Sequence, residues 1–289
     1  MQDVAGKVAF VTGGASGMGL AMVRSFTAAG MKVAVADIEK QALDRVAEEF
    51  SGSNSEVITL PLDVTDRAAM ERAADATDEA FGKVHVVCNN AGVAVGGPVD
   101  EMSYADWDWV LGVNINGVVN GVQTFTRRME SHGEGGHFVN TASMAGHLAV
   151  PGLSVYTTTK FAVVGLSEVM RVDLAGKGIG VSVLCPGVVR TNIFDSGRNR
   201  PAALTGERDT ASMVLSADIA DEERAARLAD LLSNALDPAA VGDMVLHAIL
   251  TDEFYIFTHP ELRQTADARG AEMATAFERW SAYRQEHGV

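Results

Sequence analysis

Tyr156 and Lys160 stand four residues apart, a short distance after a serine, Ser143, that ends an apolar run. On a helix that spacing puts the phenol and the ammonium on one face. Tyrosine has a reference pKa of about 10 and is a poor proton acceptor near neutrality, but a cation beside it favours the phenolate and lowers that value. Tyr156 can then take a proton from an alcohol, or give one to a carbonyl oxygen, while hydride moves to or from a cofactor. Ser143 would hydrogen-bond the same oxygen and orient it. The plainer alternative is a helix start with an exposed lysine and a packed tyrosine, so the assignment rests on context.

The context is a series of apolar runs ending in polar turns. Phe138 to Ala142 predicts a strand with Ser143 at its carboxyl edge, and a Gly/Pro-bearing loop then leads into the helix of Tyr156 and Lys160. At the start of the chain Val8 to Thr12 reads as a strand, followed by G-G-A-S-G-M-G and a helical pattern through Ala29. Gly13, Gly17 and Gly19, with Ser16 and Met18 in the same turn, fit a tight bend that lets a pyrophosphate approach a helix N-terminus. The spacing differs from G-x-G-x-x-G, and the strand, turn, helix order supplies the warrant. A second strand, Lys32 to Ala36, ends at Asp37, near the ~20-residue offset of an acid that binds the adenosine ribose. A carboxylate there repels a 2′-phosphate, which predicts NAD rather than NADP. Lys40 reads as a solvated helix residue.

Glu56 to Leu62 predicts a third strand, with Asp63 and Val64 beyond it as adenine contacts; helix capping by Asp63 or Asp66 is the alternative. Val84 to Asn89 predicts a fourth, bringing Asn90, Ala91 and Gly92 of N-N-A-G to the sheet edge. Ser103 with Asp106 reads as an N-cap of a long helix in which Trp107 and Trp109 supply bulk for packing or an oligomer face and Asn114 widens the helix locally, holding a water or a backbone group beside Lys160. Ile179 to Leu184 predicts another strand, and the loop after Cys185 offers Pro186, Gly187, Val189 and Thr191 to the cofactor. Residues 192–236 read as an insertion that covers a substrate, with Phe194, Met213 and Leu215 as apolar surface and Ala220 to Leu236 helical; a static surface insertion is the alternative. The substrate contacts expected are Ser143, Ala145, His147, Tyr156, Val188, Phe194 and Met213. Asp237 and Pro238 start a helix to Leu250, Phe254 to Thr258 is a last short strand, and the tail from Pro260 to His287 is helical.

Composition bounds the reading. The chain has 289 residues, 47% of them hydrophobic, with 29 glycines, a size at which one large α/β domain over 1–289 or two modest domains are both possible. A net charge of −15 disfavours nucleic acid or an anionic membrane as partner, although a helix terminus can still bind phosphate. No long uncharged apolar run and no secretion-type start is present, so a cytoplasmic protein is expected. Cys88 and Cys185 sit in strand-like runs as buried small residues, and His132, His137 and His147 are too irregularly placed for a zinc signature; no metal is expected.

Together, T-G-G-A-S-G-M-G at 12–19, Asp37, Asp63-Val64, N-N-A-G at 89–92, Asn114, Ser143, Y-T-T-T-K at 156–160 and P-G-V-V-R-T at 186–191 resemble the classical branch of the short-chain dehydrogenase/reductase family. The resemblance implies a single doubly wound α/β domain of Rossmann type with a mostly parallel, seven-stranded sheet, and a homodimer or homotetramer. It also implies roles: Tyr156 as acid/base, Ser143 orienting the reacting oxygen, Lys160 binding ribose and modulating the tyrosine, and Asn114 supporting a proton-relay water. The length, the segment after Thr191 and F-Y-I-F-T-H-P-E at 254–261 further resemble bacterial Cα-dehydrogenases that oxidise benzylic alcohols of lignin-derived β-aryl ethers with NAD. An apolar covering segment suits a bulky hydrophobic or aromatic secondary alcohol, a steroid included. Two other classes are a nucleotide-sugar epimerase, disfavoured by the glycine and N-N-A-G patterns, and a non-enzymatic NAD-responsive binding protein.

Overall fold

Short valine-rich runs form strands, most of them buried on both faces, the pattern of a parallel sheet covered by helices. The computed structural model describes residues 1, 3–53, 55–205, 233 and 235–289. Met213, Leu215 and most of the helix expected up to Leu236 lie outside the described residues.

The strands are β1 (Val8–Thr12), β2 (Lys32–Asp37), β3 (Val57–Pro61), β4 (Val86–Asn89), β5 (Gly136–Thr141), β6 (Ile179–Cys185) and β7 (Tyr255–Phe257). They form one sheet in the order β3-β2-β1-β4-β5-β6-β7, and every pairing is parallel. Chain direction across the sheet reverses between β1 and β4, which opens a crevice at their carboxyl ends. Alternate residues of each strand feed two cores. Phe10, Phe125, Phe138 and Met129 fill one side, whereas Val11, Met22, Phe26 and Leu184 fill the other.

Helices α1 (Gly17–Ala28), α2 (Lys40–Phe50) and α3 (Arg67–Phe81) connect the first four strands. Asp66 caps α3, its Oδ1 accepting from the N–H groups of Ala68 and Ala69. The helix expected after Ser103 starts there with a full capping box and then divides: α4 (Tyr104–Leu111), a π-helical turn Gly112–Asn116, and α5 (Gly117–His132). Helix α6 (Ser154–Ala175) carries the Tyr/Lys pair, and α7 (Pro238–Thr251) packs on α1. Gly242 permits that contact, because a Cβ there would lie 2.5 Å from the carbonyl oxygen of Ala21.

The last helix, α8 (Arg263–His287), has no buried residue and leaves Phe277 and Trp280 exposed. Among the described residues no helix is long and apolar enough to cross a membrane. Strand ends moved by one or two residues from expectation: β5 begins at Gly136 and stops at Thr141, leaving Ala142 and Ser143 in the turn that forms the site.

Candidate active site

A cavity of about 840 Å³ opens over the carboxyl ends of the central strands. Its cofactor-side floor is the turn between β1 and α1. Gly13 and Gly17 hold positive φ values of 60° and 52°, and a Cβ on Gly19 would sit 2.0 Å from the carbonyl oxygen of Gly13. Ser16 precedes α1 in extended geometry and makes no side-chain cap, so the first helical N–H groups are left for a ligand. Gly13, Ser16, Gly17 and Met18 line the cavity; Gly19 shapes the turn from behind.

Thr12 ties this turn to its neighbour. Its Oγ1 accepts from the N–H groups of Asn90 and Ala91 at 2.9 and 3.1 Å, and Asn90 Nδ2 donates back to the Thr12 carbonyl at 3.0 Å. Sequence reasoning put Thr12 in the motif without a role of its own; only the pairing of β1 with β4 shows it. Asp37 reaches across from β2, its carboxylate accepting from the N–H groups of Ala15 and Glu39 at 3.0 Å each, and burial pushes its carboxyl above its ordinary range. Asp63 Oδ1 accepts from the N–H and hydroxyl of Thr65, so it holds its loop while Asp66 does the capping. Asp37, Asp63, Val64, Asn90, Ala91 and Gly92 all line the same cavity.

At the other end, Ser143, Tyr156 and Lys160 converge. Ser143 Oγ donates to the Pro186 carbonyl at 3.3 Å, accepts from the N–H of Ala145 at 3.1 Å, and is hydrogen-bonded with the Tyr156 phenol. Lys160 Nζ donates to the Thr141 carbonyl at 2.9 Å and lies 5.3 Å from the centre of the Tyr156 ring. Spacing predicted a phenol lowered by its lysine; the phenol is instead pushed up to about 12, because burial penalises the phenolate more than the Ser143 hydrogen bond relieves it. Burial likewise brings Lys160 down to about 8. Both groups are thus desolvated and readily biased by charge placed beside them.

Asn114, at the centre of the π turn, accepts from the N–H of Val93 at 2.9 Å and donates to the Val93 carbonyl and the Thr159 hydroxyl. It holds a backbone group, as one of its two expected roles required, and does not itself line the cavity. Gly92 lies between it and the lysine: a Cβ there would be 3.5 Å from Asn114 Oδ1 and 3.6 Å from Lys160 Nζ. Of the substrate contacts expected, Ala145, Val188 and Phe194 line the cavity, and Met213 lies outside the described residues. His147 does not line it. Its ring packs edge-on against Tyr255 and Phe257, and its Nε2 faces Cys185 Sγ at 3.3 Å, because the aromatic side chains of β7 form a better seat than the cavity wall. Pro186, Gly187, Val189 and Thr191 line the cavity, with the Gly187 N–H held by Thr258 and His259. Trp109, Leu153, Ile193 and Leu262 complete an apolar wall that no local motif signalled.

Among the described residues, one group outside the cavity brings metal-ligand types together: His85, His132 and Glu134, with ligand atoms within 4.8 Å. Their capacity is already used. His85 Nδ1 accepts from the N–H of Val8, His132 Nδ1 from the N–H of Glu134, and Lys7 and Lys83 both bridge to the Glu134 carboxylate. The cluster ties the amino ends of β1, β4 and β5 together.

The residues present suit a dinucleotide: a glycine cradle that Cβ atoms would fill, free helix-start N–H groups, and an acid at the end of β2. Comparison with known proteins agrees. A Cα-dehydrogenase from Sphingobium sp. strain SYK-6 is 35% identical over 265 residues, 91% of this chain and 84% of that protein. A 3β-hydroxysteroid dehydrogenase from Eggerthella lenta is 36% identical over 191 residues, covering 66% of this chain and 74% of its own length. The crystal structure of a short chain dehydrogenase/reductase from Burkholderia phymatum in complex with NAD superposes with a TM-score of 0.88 at 38% identity, covering 96% of this chain and 97% of that one. Residues 7–202 match the short chain dehydrogenase family, and with these relatives spanning most of the chain, it belongs to that family.

Proposed function

We propose that this chain is an NAD-dependent oxidoreductase that interconverts a bulky hydrophobic or aromatic secondary alcohol and its ketone. The observation that carries this reading is the meeting of Ser143, Tyr156 and Lys160 at the join between the glycine-turn floor and an apolar wall. Bound NAD supplies the hydride acceptor. Gly13, Ser16, Gly17, Asp37, Asp63 and Val64 hold it at one end, and Lys160, Pro186, Gly187 and Thr191 at the other. Ser143 donates to the substrate oxygen and fixes its position, and Tyr156 takes the alcohol proton. Lys160 stabilises the phenolate as it forms and, through a water held by Asn114, passes the proton toward solvent. In the reverse direction Tyr156 protonates the ketone oxygen.

The specific substrate we favour is the benzylic Cα alcohol of a lignin-derived β-aryl ether. Support comes from the similarity over 91% of the chain to a Cα-dehydrogenase, and from the wall of Trp109, Leu153, Ile193, Phe194 and Leu262, which suits an aryl group. A steroid alcohol is the second reading, supported by the similarity to a hydroxysteroid dehydrogenase over a smaller share of the chain. Exposed Val169 and Val172 on α6, with Phe277 and Trp280 on α8, support self-association as a homodimer or homotetramer.

NADH formation with separated stereoisomers of β-aryl ether, steroid and aliphatic alcohols tests the assignment. The expected outcome is turnover of the aryl alcohols that falls by about 10³-fold in Tyr156→Phe, with NADH affinity kept by calorimetry. Preference for steroids moves the substrate, and NAD binding without turnover of any alcohol overturns the enzyme reading in favour of a binding protein.

A further inference from the structure

The adenosine end of the cavity has a second acid, and it is spoken for. Glu39 follows Asp37 and Ile38 at the end of β2, and all three line the cavity. A single oxygen of Glu39, Oε1, accepts from Arg198 Nε at 3.1 Å, from Arg198 Nη2 at 2.7 Å and from Asn199 Nδ2 at 2.9 Å. Arg198 and Asn199 come from the far bank, in the 3₁₀ segment Asn192–Asn199 after β6, and also line the cavity. The remaining guanidinium nitrogen, Nη1, donates to the carbonyls of Asn192 and Asp195 at 2.9 and 2.6 Å. These contacts hold the Glu39 carboxyl below its ordinary range despite partial burial. Among the described residues lining the cavity, Arg198 is the only guanidinium, and Lys160 is the only other cation. Lys160 is committed to the catalytic end.

We propose that Glu39 is a cofactor-specificity residue that works by occupying Arg198, and that this pair, in addition to Asp37, sets the preference for an unphosphorylated adenosine ribose. This rests on the NAD reading above. A guanidinium beside the ribose subsite is the group that accommodates a 2′-phosphate. Here it is neutralised by a carboxylate on the strand end that carries the ribose acid, so a phosphate arriving there meets two acids and a cation that is already paired. Removing the Glu39 charge leaves Arg198 in reach of the subsite, held by its backbone contacts, with one carboxylate fewer to repel the ligand.

Dissociation constants of NADH and NADPH, measured by calorimetry on the full-length protein, test this without turnover. Wild type binding NADH more tightly than NADPH bears on the cofactor reading alone. Glu39→Gln is expected to shift the NADPH/NADH affinity ratio by about tenfold toward NADPH, limited because Asp37 remains. The gain is expected to vanish in Glu39→Gln with Arg198→Met. A ratio within twofold of wild type in Glu39→Gln, or a gain that survives the loss of Arg198, overturns the proposal. Thermal unfolding of each variant confirms that the site being titrated is folded.

Discussion

His137 is wholly buried in β5, where its Nε2 is hydrogen-bonded with the Ser182 hydroxyl, which itself donates to the Glu253 carbonyl. That chain of donors makes Nε2 the protonated nitrogen and leaves Nδ1 without a hydrogen-bond partner, 3.7 Å from the Asp252 carboxylate. Burial lowers the imidazole from 6.5 to about 4. The sign follows from linkage: between those values the unfolded chain binds the proton and the native one does not, so stability falls as the pH drops from about 6.5 toward 4. The loss is at most about 3 kcal/mol. Urea midpoints measured at pH 7 and pH 4.5 should show it, and His137→Gln should shrink the difference. At this scale the sequence was informative where spacing alone defines geometry, as at Tyr156 and Lys160. It was silent where a side chain chooses between two seats. Nothing local tells that His147 turns to the aromatic side chains of β7, or that burial outweighs the lysine at Tyr156.

The elements around the site are joined by side chains that reach across long intervals of sequence. Asn114 joins the π turn to the backbone of Val93 and to Thr159 on α6. Asn114→Ala deletes all three bonds and leaves a buried N–H and carbonyl unsatisfied, which should cost roughly 2–4 kcal/mol by thermal or urea unfolding and also slow turnover. A proline-free apolar helix with a polar residue at its midpoint was readable from V-N-I-N-G, and so was the widening. The partner was not, since Val93 belongs to a loop whose course is set by β4. The same holds for residues 192–205. Several of them line the cavity, which follows from the exit of β6, but their fixings do not. Arg200 Nη1 pairs with Asp106 Oδ1 at 2.6 Å, both nearly buried, and its guanidinium lies 5.2 Å from the Trp109 ring. Asp106 was recognised as a capping residue, and it performs that task and the ion pair together.

Across the whole molecule, the glycine turn, the strand-end acids and the Tyr/Lys helix made the succession of strands and helices along the chain legible, because each marks a carboxyl edge; the lateral order of the strands was implied only by the family resemblance. Helix α8 obeys no such logic. It has no buried residue, so removing 264–289 should shift the melting temperature by only a few degrees, while sedimentation of the truncated protein shows whether the exposed Phe277 and Trp280 hold copies together. The π turn at Gly112–Asn116 has the opposite character. It lets one continuous rod satisfy two seats, α4 placing Trp109 in the cavity wall and α5 packing toward the sheet. Each residue in a helix turns the chain by about 100°. Taking one residue other than Asn114 out of the π turn would rewind it to regular geometry and turn α4, with Trp109, by about 100° relative to α5. Part of this active site is therefore written as a count of residues rather than as their identities.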